Sequence, residues 1–120
     1  MALYVKFTKL ECVAQNERHG DEPYLKWKET GTRIWGWTPD NEGVVGTTWD
    51  LTKDLGWQEK PVPLMPVSSD SVIELWEYDP DTADDFLGFS EIPTAATPEK
   101  TYTLRGDDAE YKLTYKVVDI

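Results

Sequence analysis

Five carboxylates, Glu77, Asp79, Asp81, Asp84 and Asp85, fall within nine positions of the segment V-I-E-L-W-E-Y-D-P-D-T-A-D-D-F-L-G at 72–88. Like charges crowded onto one short loop repel, and a solvated loop has no need of them. A hard cation such as Ca²⁺ takes carboxylate oxygens and removes that repulsion. The run is not an EF-hand, because Asp84 stands where such a loop started at Asp79 requires glycine, and no glutamate closes it. A second acidic segment, Asn16-Glu17-Arg18-His19-Gly20-Asp21-Glu22-Pro23-Tyr24-Leu25-Lys26, sets a carboxylate directly before the entry to a strand. The plainer alternative is that these acids solvate one pole of an acidic protein.

Other chemistries find little material. His19 is the only histidine, which leaves no Ser-His or Cys-His pair and no histidine-rich metal site. Cys12 is the only cysteine, so there is no internal disulfide; its neighbours Leu10 and Val13 suit a buried thiol rather than a nucleophile. Glycoside hydrolysis needs a separated acid and base, and acids crowded on one loop suit a cation better. The chain is therefore expected to be no enzyme. With 23 acidic against 12 basic side chains its net charge is −11, which opposes nucleic acid and simple adsorption to anionic lipid. Divalent cations bound at one pole would weaken both objections.

The elements that must position these acids read as strands. Short alternating segments rich in Tyr, Trp, Val, Thr and Leu are separated by Gly, Pro, Asn and Asp, and no stretch sustains a helical period. Eight strands are expected: about 2–13, then Tyr24–Glu29, Thr32–Thr38, Thr47–Thr52, Ser71–Asp79, Leu87–Ile92, Thr101–Leu104 and Glu110–Asp119. In the first, Leu3, Val5 and Phe7 share a face and the apolar phase then slips to Leu10 and Cys12, predicting a bulge near Thr8-Lys9. The fifth is apolar on both faces and suits a central strand. In the last, Tyr111, Leu113, Tyr115 and Val117 alternate with Lys112, Thr114 and Lys116. A long connection spans Lys53–Asp70, with room for one helical turn at Thr52–Trp57 before its prolines. The 120 residues suit one domain, an antiparallel β-sandwich over 1–120, expected to be a monomer. No apolar run is long enough to cross a membrane as a helix, and Met-Ala-Leu-Tyr-Val-Lys-Phe lacks a signal-peptide layout, which favours the cytoplasm.

Placed on these strands, the two acidic segments resemble those of the C2 domain, a β-sandwich family that often binds Ca²⁺ and targets membranes. One family signature is a glycine-containing loop followed by Ser-Asp-Pro-Tyr-Val; Gly20-Asp21-Glu22-Pro23-Tyr24-Leu25 stands in its place. The other is acid, any residue, acid, and then a loop ending Asp-x-(Leu/Ile)-Gly, matched by Glu77-Tyr78-Asp79 and Asp85-Phe86-Leu87-Gly88. A first strand running straight into the first acidic loop, with an extra strand at the end, resembles the permuted type II topology. The resemblance implies Ca²⁺ ligands at Glu22, Glu77, Asp79 and Asp85. The first-loop acid falls on Asn16, with Glu17 beside it, and Asp21, Asp81 and Asp84 are further donors. Glutamates at two aspartate positions and a neutral Asn16 depart from the family pattern and imply weaker binding or the loss of one site. Ca²⁺ tolerates such variation better than Mg²⁺ does.

The resemblance implies a partner, an anionic phospholipid membrane or a protein, at the metal-loaded pole. The tips Glu17-Arg18-His19-Gly20 and Pro80-Asp81-Thr82-Ala83 offer no apolar wedge, and only Val44-Val45 could insert. Lys26, Lys28 and Arg33 form a small basic stripe or are simply solvated. A rival reading uses the tryptophans: Trp35 and Trp37, on one strand face, would form a stacking platform for a sugar or a protein side chain if exposed. Trp76 is expected in the core.

Overall fold

The computed structural model describes residues 2–36, 42–53 and 61–120. Their strands, in chain order, are β1 (Leu3–Ala14), β2 (Pro23–Trp27), β3 (Thr32–Gly36), β4 (Thr48–Asp50), β5 (Met65–Pro66), β6 (Val72–Glu77), β7 (Asp85–Glu91), β8 (Lys100–Gly106) and β9 (Ala109–Asp119). Eight correspond to the expected strands. The ninth, β5, is a two-residue pairing inside the long connection, too short to show a period. The helical turn expected at Thr52–Trp57 falls largely outside the described residues, as do Trp37 and Trp57.

The strands form two antiparallel sheets. One has the order β4-β1-β9-β8, with β5 also on β1; the other has the order β3-β2-β6-β7. β6 is central, as its two-sided apolar sequence requires. β1 and β9 pair along nearly their whole length, so the chain ends beside its beginning. The predicted bulge lies between Phe7 and Lys9, where the register slips by one. Thr8 takes the extra position, and its hydroxyl donates to the Thr114 carbonyl at 3.1 Å. The slip lets Val5 and Phe7, and then Leu10 and Cys12, all face inward.

The core lies between the sheets. Val5, Phe7, Leu10 and Cys12 of β1 and Tyr111, Leu113, Tyr115 and Val117 of β9 meet Leu25, Trp27, Ile73 and Leu75 of the facing sheet. Each large aliphatic side chain so buried contributes roughly 1.5–3 kcal/mol. Trp35 and Trp49 are buried and meet edge to face, with centroids 5.6 Å apart. Burial of Trp35 removes it from the expected stacking platform. Trp76 departs from expectation in the other direction. Ile73, Leu75 and Glu77 take the inward positions of β6, so Trp76 stands half-buried on the outer face, edge-on to Phe86.

The sandwich narrows where β7 meets β8. A Cβ at Gly88 would stand 2.7 Å from the Arg105 amide nitrogen, and one at Gly106 would stand 2.8 Å from the Phe86 carbonyl oxygen. Gly88 also has φ +135°, a conformation side chains avoid. The glycine of the Asp85-Phe86-Leu87-Gly88 motif thus has a steric reason.

Candidate metal site

Strand register brings the two acidic segments together. Pro23, Glu77 and Asp85 are Cα partners in one row across β2, β6 and β7. Glu22 and the 78–84 loop therefore leave the sheet side by side, joined by a 3.0 Å hydrogen bond from the Tyr78 amide to the Glu22 carbonyl.

The first loop is built around Asp21, which is fully buried. Its carboxylate accepts from the Asn16 amide at 3.0 and 2.9 Å, the Glu17 amide at 2.7 Å and the Tyr111 hydroxyl at 2.5 Å. Its own amide and carbonyl pair with Gly43, which fixes the 42–47 loop alongside. Asp21 therefore shapes the loop, and its neighbour Glu17 carries the loop's carboxylate outward.

The second loop folds on Asp79. Its Oδ1 accepts from the Asp81 amide at 3.0 Å and its Oδ2 from the Thr82 hydroxyl at 2.7 Å. These two contacts, Thr82 foremost, hold its carboxyl below the ordinary aspartate value. Asp84 is turned toward the outer sheet face, accepting from Tyr24 Oη at 2.5 Å and from the Asp79 amide at 3.1 Å. Asp81 is exposed.

Of the nine expected donors, Glu17, Asp79 and Asp85 converge, with one oxygen of each within 4.8 Å of the others. Glu77 lies behind them, only 2% exposed. Its Oε2 accepts a long 3.4 Å bond from the Glu22 amide, and its Oε1 has no hydrogen-bond partner among the described residues. Burial, followed by the charges of Asp21 and Glu17, pushes its carboxyl up to about 9. Burial and then the charges of Asp107 and Glu17 also raise Asp85. Glu17, Glu22, Glu77, Asp79 and Asp81 line a cleft of about 380 Å³ together with Glu42. Asn16 is used differently, its Nδ2 donating to the Asp107 carbonyl at 2.6 Å. Asp107, in the β8–β9 turn, was not among the expected donors; its only sequence signal is a pair of acids at a hairpin tip.

An all-oxygen donor set with an orphaned buried carboxylate oxygen fits a hard cation and offers nothing to a soft one. Among the described residues no helix is long and apolar enough to cross a membrane.

A calcium-bound structure of the C2A and C2B domains of extended synaptotagmin 2 is similar to this chain, with a TM-score of 0.53 and 17% sequence identity. The match covers 97% of this chain and 44% of that one. The fold is C2-like. In this C2-like sandwich, β1 runs into the first acidic loop and β9 closes beside β1, the strand order expected of the permuted form. No family model matches the chain in sequence, and no curated protein matches it either. The chain spans less than half the length of the synaptotagmin structure.

Proposed function

We propose that this C2-like domain is a Ca²⁺-binding module, not an enzyme, whose metal-loaded loop pole engages an anionic phospholipid membrane. The observation that carries the reading is the convergence of Glu17, Asp79 and Asp85 in front of Glu77, whose Oε1 is buried without a partner. Two like charges at the 4.8 Å limit of that trio repel by about 3 kcal/mol at a surface-like effective dielectric. Crowding three, in front of a Glu77 that burial already holds neutral, is a lasting cost to the fold unless a dication offsets it. Glu17, Asp79 and Asp85 are the ligands in this reading, with Glu77 and Glu22 completing the inner wall.

The membrane half of the reading rests on the 42–47 loop, which is stapled to Asp21. At its tip Val44 and Val45 are 48% and 62% exposed beside the acidic cleft. A net charge of −11 keeps such a tip away from anionic lipid until the pole changes sign locally. The sugar-platform alternative loses Trp35 to the core, and Lys26 Nζ, 5.2 Å from the ring centroid, covers one face of Trp76.

Calorimetric titration with Ca²⁺ at constant ionic strength tests the metal claim, with heat of binding and a raised melting temperature expected. A flat titration with an unchanged melting curve rejects it. Co-sedimentation with phosphatidylserine vesicles only when Ca²⁺ is present is the expected membrane result. Ca²⁺ binding without co-sedimentation turns the reading to a protein partner.

A further inference from the structure

The outer face of the β3-β2-β6-β7 sheet carries rings where a solvated sheet carries polar side chains. Phe86 and Phe89 on β7 are 36% and 53% exposed, and they are the only exposed aromatics among the described residues. Phe86 meets the Trp76 ring edge-on, with centroids 5.1 Å apart, and stacks toward Phe89 at 6.3 Å. The three form one continuous ladder. A monomer, the state expected from the sequence, would leave that ladder in water.

Strand register fixes what surrounds it. Arg33, Lys26, Glu74 and Phe89 are successive Cα partners in one row across β3, β2, β6 and β7. Tyr24, Trp76 and Phe86 form the adjoining row. The face is therefore cationic on β3 and β2, acidic at Glu74 and aromatic along β7. Arg33 and Lys26 set like charges opposite each other, which costs stability within one chain. Lys26 and Glu74 sit opposite each other yet make no ion pair among the described residues. Lys26 Nζ lies 5.2 Å from the Trp76 centroid, and Glu74 Oε1 accepts from Trp76 Nε1 at 3.3 Å.

This layout is complementary to itself. Setting a second copy face to face about a two-fold axis parallel to the strands exchanges β2 with β6 and β3 with β7. Lys26 then meets the partner's Glu74, and Arg33 comes over the partner's Phe89, a cation on an aromatic ring. Tyr24 comes over the partner's Trp76. An axis across the strands through the charged row would instead set Lys26 on Lys26 and Glu74 on Glu74.

We propose that this face joins two copies of the chain in a two-fold dimer, with Phe89 buried and Lys26–Glu74 pairs formed between the chains. The face lies outside the metal cleft, and the inference stands without the Ca²⁺ reading.

Sedimentation equilibrium in chelator tests it on the wild type, Phe89→Ser, Lys26→Glu, Glu74→Lys and an equimolar mixture of the last two. The wild type should move from the monomer toward twice its mass over about 10–500 µM, the range of a small interface. Phe89→Ser should stay monomeric throughout, with wild-type melting at the dilute end, where both are monomers. Lys26→Glu and Glu74→Lys each set like charges across the axis and should weaken association about ten-fold or more. Their mixture places opposite charges at both contacts and should dimerise as the wild type does, a rescue that no effect confined to one chain can give. A wild type that stays monomeric, a Phe89→Ser that dimerises like it, or a mixture as weak as its components overturns the proposal. A monomeric wild type whose co-sedimentation with phosphatidylserine vesicles is lost in Phe89→Ser overturns it in favour of lipid at this face.

Discussion

The hydroxyl of Tyr111, on β9, donates to Asp21 Oδ2 in the interior of the sandwich, tying the far end of the first acidic loop, just before β2, back to the sheet that β1 leaves. Both residues are fully buried, and burial followed by the Asp21 carboxylate pushes the Tyr111 phenol far up, so it remains a donor at any working pH. The loop that presents Glu17 is therefore held from below by one phenol and from its own backbone by two amides. Tyr111→Phe should leave the buried carboxylate one donor short and cost about 1–3 kcal/mol. Urea denaturation should give a lower midpoint with an unchanged m value.

Ligation predicts a different signature. Asp79→Asn combined with Asp85→Asn should abolish the Ca²⁺-induced rise in melting temperature while leaving the metal-free fold intact, because neither carboxylate supports the core. In chelator the variant should melt close to the wild type, since neutralising Asp85 relieves repulsion while Asp79→Asn weakens the turn that its carboxylate holds through Asp81 and Thr82. A double variant that still gained stability from Ca²⁺ would remove the 77–85 loop from the site.

How far the site could be read from the sequence depended on which physical rule governed each residue. The phase slip between Phe7 and Leu10 gave the bulge, and strict alternation from Tyr111 to Val117 gave β9, because one buried face dictates the period of each. β6 carries apolar residues on both faces, so alternation alone did not say whether Trp76 or Glu77 points inward. Trp76 looked like core on size, yet the inward phase of Ile73 and Leu75 sends Glu77 inside. Asp21 looked like one more loop acid, and only its four donor contacts reveal a structural role. Asp107 meets the first acidic loop through its carbonyl and Asn16, a long-range contact with no local trace.

The inward Glu77 gives the metal-free protein a pH dependence of defined sign. Its folded-state value, about 9, lies above its ordinary 4.5 because burial, then Asp21 and Glu17, disfavour its charge. A raised value means that the neutral form is favoured by folding. Its contribution is fully present below about pH 4.5 and is lost as pH rises through 9. Stability measured in chelator should fall across that window. Glu77→Gln keeps the shape without the charge and should flatten the decline; a variant that declines as steeply as the wild type would show that Glu77 is not its source.

The glycine contact between β7 and β8 can be separated into a conformational and a steric part. Gly88 has φ +135° and its Cβ would stand 2.7 Å from the Arg105 amide nitrogen, whereas Gly46 has φ +93° with nothing within 4 Å. Gly46→Ala should therefore cost only the strain of the left-handed region, about 1 kcal/mol. Gly88→Ala should cost that strain and also force β8 away from β7, adding about 1–3 kcal/mol of overpacking. Paired urea titrations give the difference directly. Because Gly88 shares its strand with Asp85, Gly88→Ala should also weaken Ca²⁺ binding, whereas Gly46→Ala, in the 42–47 loop, should leave it unchanged. Equal losses of stability in the two variants would mean that the strands yield freely at Gly88.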